Sequence, residues 1–258
     1  WNEWFTKMTA AIAGNTTPDV SGLGYGQFGM LVTRGVLAPI PGGSEYALDD
    51  VAGWAKQAAT YEGDQYGVFF PETRPLTYRK DFFEEAGLDP DEPPQNWEEL
   101  REYAEALVVR QGSQVTRAGI DIPYLGSGEQ IFLTFYAQRM KGAHLWENGG
   151  KPAFNTPEGI ETLEYLVSLR NDSDVLLPSD QQGMMGTAFE QGVAAMGYPK
   201  SQGLPMLLES RPDDVGFALP AGPESNAALT LGTFIAVFEA SDQKEAAYDF
   251  QAFLYSQE

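Results

Sequence analysis

The stretch Tyr61–Asp81 constrains this chain most, because it holds two apolar runs separated by a polar break that suits no hairpin. A turn at Glu62–Asp64 precedes the first run, Tyr66–Phe70, and the second run is Leu76–Tyr78. The break between them, residues 71–75, places an acid, a hydroxyl and a base between two prolines. Short hairpin turns favour Gly and Asn instead. The break is better suited to a crossing between two lobes, with polar side chains left at the crossing.

Length and composition limit the classes of protein that this chain can belong to. Its 258 residues suit one large domain or two of about 100–150 residues. No run of apolar residues is long enough to predict a membrane-spanning helix. The chain begins with Trp1 rather than Met, so we expect a mature or trimmed piece of a longer protein.

Cysteine and histidine usage argues against redox and metal chemistry. The chain has no cysteine, which excludes disulfides, thiolate catalysis and cysteine-based metal sites. Its single histidine, His144, excludes an HExxH site or a cluster of several histidines on this chain. We therefore expect no metal site and no cofactor.

The formal net charge of −21 disfavours nucleic acids and anionic membrane surfaces as partners, because both are polyanions. The acid excess fits a well-hydrated surface. It also fits a protein from a salt-adapted source, and composition alone leaves both explanations open.

Apolar periodicity predicts an α/β protein of mainly parallel sheet, because helical and strand patterns alternate throughout. Helices are predicted at residues 1–13, 28–34, 49–60, 82–87, 96–110, 129–141, 156–170, 182–191 and from 241 onward. Strands are predicted at residues 19–21, 66–70, 76–78, 119–122, 194–198, 215–219 and 233–238.

Cap residues and apolar spacing define several of these helices further. Asn96 with Glu99 forms a capping box, and Thr156 before Pro157 marks a helix start. The predicted buried faces of the last two long helices are Ile160, Leu163, Leu166 and Val167 in one, and Ala247, Phe250, Phe253 and Leu254 in the other.

Catalytic motifs are weak. Gly24, Gly26 and Gly29 match G-x-G-x-x-G, but the acid expected about 20 residues later on a second strand falls in a Pro/Gly loop. Glu72 and Glu129 could form the acid/base pair of a carbohydrate hydrolase, although no spacing fixes such a pair. We therefore predict a protein that is not an enzyme, with the hydrolase as the alternative.

A binding function fits the side chains that follow the predicted strands. Sugar recognition uses aromatic faces together with planar acids, amides and guanidinium groups. The candidate ligand-binding residues are Tyr25 and Gln27, Glu72 and Arg74, Glu129 and Gln130, Tyr198, Lys200 and Gln202, and Thr233 and Phe234. Their repeated position at strand ends is what supports the set.

The order of segments resembles the extracellular solute-binding proteins of ABC importers, in the branch that binds maltose, other sugars and glycerol phosphate. The run from Tyr78 to Leu100 is the most specific part of the resemblance, which covers essentially the whole chain. The other matching stretches are Pro18–Val20 with Arg34–Pro39, Tyr61–Gly63 with Tyr66–Gly67, Phe154–Gly159, Phe189–Met196, Gly216–Pro223 and Lys244–Phe250.

The resemblance implies a periplasmic-binding-protein-like α/β fold, with two lobes, crossing hinge strands and a ligand cleft between the lobes. Lobe one would hold residues 1–73 plus 221–258, and lobe two residues 76–214. The hinges would lie near residues 72–76 and 215–221. The family's first strand–helix–strand and its C-terminal helical part have no counterpart, so we expect a piece incomplete at both ends.

The resemblance also implies a function: capture of a sugar or related polyol outside the cytoplasmic membrane and delivery to a membrane permease. The protein would be a monomer, in the periplasm or lipid-anchored at the outer face of the membrane. Two family tryptophans are missing, near Gln202 and at Gly232–Phe234, so a stacking face is reduced or moved to Tyr198, Phe234 or Tyr25. Arg74 with Lys200 keeps a glycerol 3-phosphate-type solute as an alternative.

Overall fold

The computed structural model describes residues 3–42, 51–123, 128–140, 151–183, 186–200 and 203–255. The chain divides into two compact units. Unit 1 consists of residues 1–72 and 231–258, and unit 2 of residues 73–230. The lobe and hinge boundaries that the resemblance implies for this chain stay a prediction.

Helices and strands alternate through most of the described chain, so the predicted α/β class is confirmed. The helices are α1 (Trp4–Ala13), α2 (Tyr25–Val32), α3 (Gly53–Ala58), α4 (Lys80–Glu85), α5 (Trp97–Leu107), α6 (Gly128–Arg139), α7 (Pro157–Asn171), α8 (Thr187–Glu190), α9 (Leu204–Ser210) and α10 (Lys244–Tyr255). The strands are β1 (Val20–Gly24), β2 (Thr60–Tyr61), β3 (Asp64–Gln65), β4 (Val68–Thr73), β5 (Leu76–Arg79), β6 (Val109–Gln111), β7 (Gln114–Ile120), β8 (Ala194–Gly197), β9 (Val215–Ala218) and β10 (Thr230–Val237). Within the described ranges, each helix is too short or too polar to cross a membrane.

The main sheet of unit 1 has the strand order β1-β10-β4. Strand β1 runs antiparallel to β10, with Gly24 opposite Thr233 at one end. A Cβ added at Gly67 would lie 3.5 Å from the Ala236 Cβ, and one added at Gly232 would overlap the Phe70 carbonyl oxygen, so β4 also runs antiparallel to β10. Three strand ends therefore lie along the same edge of the sheet: the end of β1, the end of β4 and the start of β10. By edge we mean here the side of the sheet that strand ends form, not an outer strand.

The two faces of this sheet carry different aromatic contacts. On one face Phe234 stacks between Phe28 and Phe69, with ring centroids 4.2 and 4.6 Å away. On the other face Tyr255 of α10 contacts the ring of Phe70. The Tyr255 hydroxyl also donates to the Phe69 carbonyl, at 2.6 Å. Consecutive strand residues point to opposite faces, so α2 and α10 pack on opposite sides of the sheet.

The sheet of unit 2 has the strand order β6-β7-β8-β5-β9. Strands β7 and β8 are parallel, whereas β5 is antiparallel to both β8 and β9. The prediction of a mainly parallel sheet is therefore wrong, since β7–β8 is the single parallel pair among the described strands. The start of β5 lies at the same edge as the carboxyl ends of β7, β8 and β9, because Thr77 pairs with Gly197 and Leu76 with Ala218.

Both predicted helix starts are confirmed. The Asn96 side chain accepts from the Glu99 N–H at 3.0 Å, and the Glu99 carboxylate accepts from the N–H of Gln95. The Thr156 hydroxyl accepts from the Gly159 N–H at 3.2 Å. These caps satisfy backbone donors that have no partner inside the helix.

Several predicted boundaries need correction. Strand β4 continues through Pro71, where the sequence predicted a break. Because β4 is an outer strand of its sheet, the N–H group that proline lacks is tolerated there. Helix α2 begins at Tyr25 rather than Phe28. Helix α5 ends at Leu107, and the residues after it form the β6–β7 hairpin, which turns at Gly112 with φ +64°.

The predicted buried faces of α7 and α10 are partly wrong. In α7, Ile160 and Leu163 are more than half exposed, and the buried residues include Thr162 and Leu169. In α10 the buried residues are Ala247, Tyr248 and Gln251, while Phe250, Phe253 and Leu254 are exposed. Apolar spacing identified these helices correctly but did not identify the side that is buried.

Candidate functional site

In unit 1, four of the predicted site residues lie at one edge of the β1-β10-β4 sheet. Tyr25 is the first residue of α2, directly after β1, and its side chain is 55% exposed. The Gln27 side chain folds back over Gly24, so that a Cβ added at Gly24 would lie 2.5 Å from Gln27 Oε1. Thr233 pairs with Gly24 across the β1–β10 ladder.

Glu72 is the fourth residue of this group, which we call the unit 1 edge. It lies one residue before the end of β4, next to the start of β10, and its side chain is half-buried. An acid, an amide, a hydroxyl and an exposed phenol thus share one edge, where they can bond the hydroxyl groups of a small polar molecule.

In unit 2, Arg74 is held by α6. Its side chain is only 7% exposed, and its Nη1 donates to Gln130 Oε1 at 3.0 Å. Arg74 precedes β5, and α6 follows the carboxyl end of β7, so this contact lies at the edge where β7 and β8 end. The guanidinium group positions Gln130 and is itself held in place by it.

Glu129 and Lys200 are two more predicted residues near this contact. Together with Arg74 and Gln130 they form a second group, which we call the unit 2 edge. Glu129 is exposed in the first turn of α6. Lys200 is half-buried, three residues beyond the end of β8. Gln202 was also predicted, and it lies outside the described residues, as does His144.

The rings of Tyr198 and Phe234 are not stacking faces in this structure, which corrects the expectation from the sequence. Phe234 is 4% exposed between Phe28 and Phe69. Tyr198 is fully buried, and its ring packs edge-on against Phe135 at 6.0 Å. Both rings fill the core of their own unit, so neither can lie against a ligand without repacking of that core.

The Tyr198 hydroxyl is part of a buried polar group in unit 2. It lies beside the Gln138 side chain, whose Oε1 accepts from Trp97 Nε1 at 2.9 Å. Across the described residues, neither the hydroxyl nor Gln138 Nε2 makes a hydrogen bond of normal geometry. Burial raises the pKa of Tyr198, so this phenol stays neutral.

Asp121 is a residue at the unit 2 sheet edge that the sequence interpretation missed. It follows β7 directly and is 4% exposed. Its Oδ2 accepts from the N–H groups of Ala188 at 3.1 Å and Phe189 at 3.5 Å, at the start of α8. Burial raises the pKa of Asp121 to about 6, and those backbone donors oppose the shift. An acid directly after an apolar run was the available signal, but the run was interpreted as strand throughout.

The chemistry of both edges suits binding. Within the described ranges, no group of three or more His, Cys, Asp or Glu side chains could hold a metal ion. An apolar groove of about 440 Å³ lies elsewhere in unit 2, lined in part by Phe132, Phe154 and Ile160. It offers few polar atoms, whereas sugar hydroxyls need several convergent ones. The two strand edges are therefore the better candidates.

Two proteins of similar sequence are named as binding proteins. A protein of Brucella abortus (strain 2308), named only as a binding protein, is 26% identical over 272 residues, covering 100% of this chain and 63% of its own length. The mannitol-binding protein of Pseudomonas aeruginosa is 28% identical over 179 residues, covering 64% of this chain and 40% of its own length. The chain thus spans less than two thirds of these relatives.

A solved structure and a family profile extend the similarity to the whole chain. The ABC substrate-binding protein of Listeria monocytogenes in complex with cycloalternan is 27% identical, with a TM-score of 0.82, covering 100% of this chain and 66% of that one. The profile of the bacterial extracellular solute-binding proteins matches residues 1–258. That family consists of binding proteins rather than enzymes, in agreement with the prediction. The chain belongs to the bacterial extracellular solute-binding protein family.

Proposed function

We propose that this protein captures a sugar or a related polyol outside the cytoplasm and delivers it to the membrane permease of an ABC importer. The polar side chains of the unit 1 edge are the candidate solute-binding groups of unit 1, and those of the unit 2 edge are the candidates of unit 2. The solute would be released unchanged, because the protein supplies hydrogen bonds and no reaction step.

The observation that carries this proposal is the type of side chain at the two edges. Glu72 and Gln27 supply a carboxylate and an amide, and Arg74 with Gln130 supplies a guanidinium–amide pair with a 3.0 Å hydrogen bond. Planar groups of this kind bond neighbouring hydroxyls in pairs, which matches a sugar or polyol. The ligands named for the similar proteins, mannitol and cycloalternan, are of these two classes and support the same conclusion.

A second candidate solute is a glycerol 3-phosphate-type molecule. Arg74 directly follows β4, and Lys200 lies three residues beyond β8 at the unit 2 edge. Two cations there could bind a phosphate group. The two solutes differ in charge, so a competition between a neutral sugar and glycerol 3-phosphate distinguishes them.

A Glu72→Gln variant should bind its sugar roughly ten- to a hundredfold more weakly, because charge-assisted bonds to the carboxylate are lost. Isothermal titration calorimetry measures the change. Glu239→Gln is the matched control, since Glu239 is exposed just beyond the opposite end of β10 and lies 3.5 Å from Lys244. It should bind as the unaltered protein does.

The same variant separates binding from catalysis. A hydrolase that uses Glu72 and Glu129 would release product from an oligosaccharide, and Glu72→Gln would abolish that release. Equal sugar affinity in Glu72→Gln and in the unaltered protein would show that Glu72 does not bind the ligand.

A further inference from the structure

Asp121 is a buried acid of unit 2 that the proposed function does not use. It directly follows β7, and its backbone N–H donates to the Met196 carbonyl of β8 at 2.8 Å. Its carboxylate accepts from two consecutive N–H groups at the start of α8, those of Ala188 at 3.1 Å and Phe189 at 3.5 Å. Asp121 therefore joins the end of β7 to β8 through its backbone and to α8 through its side chain.

The segment that follows β8 begins directly against this junction. A Cβ added at Gly197 would lie 3.0 Å from the Phe189 Cβ and 3.2 Å from the Asp121 Cβ. One added at Gly186, which precedes α8 with φ +87°, would overlap the Pro199 Cα. Because these contacts are so close, the start of the segment cannot shift unless α8 shifts with it.

The far end of the same segment also lies against α8. A Cβ added at Gly203 would lie 2.5 Å from Oε1 of Glu190, the last residue of α8. The Gly203 N–H donates to the Lys200 carbonyl at 3.1 Å. Lys200 belongs to the unit 2 edge and lies between the two contacts. Its position therefore depends on α8, and the position of α8 depends on Asp121.

We infer that Asp121 is a positioning residue of the unit 2 edge: its ionised carboxylate fixes α8, and with it Lys200, so that solute affinity falls when Asp121 is protonated. This inference rests on the proposed function. Hydrogen bonds to a charged acceptor are about twice as strong as those to a neutral one, so protonation weakens the contact with α8. Asp121 acts on the solute through α8 and the segment that carries Lys200.

The groups around Asp121 determine the pH at which this change occurs. Burial is the largest cause of its raised pKa of about 6, and Glu190 of α8 raises this pKa further, whereas the backbone donors of α8 lower it. Strand β8 carries no ionisable side chain, and the segment after it carries Lys200 and the neutral, buried Tyr198. Solute affinity should therefore be highest above pH 6 and fall as pH falls through about 6.

Calorimetric titration of the full-length protein with glucose, maltose and sorbitol, between about pH 5 and about pH 7.5, tests this inference. The unaltered protein should bind its solute about fivefold more weakly at the acid end of this range. Asp121→Asn has the shape of the protonated acid and cannot ionise, so it should bind with the weaker affinity at every pH. Asp213→Asn, at an exposed residue, is the control and should keep the pH dependence of the unaltered protein.

Amide hydrogen exchange gives a second readout that needs no solute. Near neutral pH, residues 187–200 should exchange about fivefold faster in Asp121→Asn than in the unaltered protein, because α8 is held less tightly. The variant should nevertheless be the more stable protein at that pH, since it lacks a buried charge. A general loss of stability cannot produce this combination.

Two results would overturn the positioning role and leave the proposed function in place. One is equal exchange of residues 187–200 in Asp121→Asn and the unaltered protein, and the other is a pH dependence of affinity that Asp121→Asn retains. If the unaltered protein binds none of the three solutes, the proposed function fails and the effect on affinity fails with it. The exchange result alone then decides whether Asp121 holds α8 and Lys200 in place.

Discussion

A Gly119→Ala variant should lose about 3 kcal/mol of unfolding free energy, because the added methyl group has no room. Gly119 lies in β7 under α5, and its added Cβ would overlap the carbonyl oxygen of Ala104 and lie 2.6 Å from the Ala104 Cα. Backbone atoms of a packed helix cannot turn aside as a flexible side chain can. Helix α5 would have to move, and it carries the buried residues Trp97, Leu100 and Leu107.

Urea denaturation followed by far-ultraviolet circular dichroism measures this loss. Gly29→Ala is the control, because Gly29 lies inside α2 and an added Cβ would meet no atom within 4 Å. That substitution should stabilise the protein by about 0.5–1 kcal/mol, as expected for Gly to Ala inside a helix. An unchanged midpoint for Gly119→Ala would show that α5 does not press on β7 at this residue.

Replacing Asp121 with Asn should change how stability depends on pH. The folded-state pKa of Asp121 is raised from 3.8 to about 6, because its carboxylate is buried and lies near Glu190. The folded protein therefore binds a proton more tightly than the unfolded chain does. The contribution of this group to the unfolding free energy is greatest below pH 3.8 and is lost as pH rises through about 6.

The shift of about two pKa units corresponds to about 3 kcal/mol. Relative to the unaltered protein, Asp121→Asn should therefore gain about 3 kcal/mol of stability between pH 3.8 and pH 7. Urea denaturation at several pH values across this range measures the difference. Asp213→Asn, at an exposed residue, controls for the loss of one negative charge. A difference between Asp121→Asn and the unaltered protein that is constant with pH would contradict the raised pKa.

Local chemistry explains which parts of the fold could be predicted from the sequence. The caps at Asn96 and Thr156 are correct because a cap depends on a few neighbouring residues. The turn at Glu62 and Gly63, with φ of +52° and +98°, is correct for the same reason. The directions of β5 and β9 in their sheet could not be predicted from the sequence. They depend on the path of the chain between strands, whereas apolar periodicity reports only that a strand is present.

Packing between distant segments explains most of the errors at the site. The sequence predicted that the candidate ligand-binding side chains lie near strand ends. Four of them do lie there: Gln27, Glu72, Arg74 and Thr233. The sequence could not distinguish a buried ring from an exposed one. Tyr198 and Phe234 belong to cores that are built by residues far away in the chain, while Trp54 of a short helix is exposed. The role of each residue in ligand binding stays a prediction.

Calorimetric titration of the full-length mature protein, with neutral sugars, polyols and glycerol 3-phosphate, tests the central claim most directly. We predict saturable one-to-one binding of at least one neutral sugar, with the ligand recovered chemically intact. Two results would contradict this account. One is recovery of a cleaved ligand, and the other is a folded protein that binds glycerol 3-phosphate or nothing while ignoring every sugar and polyol.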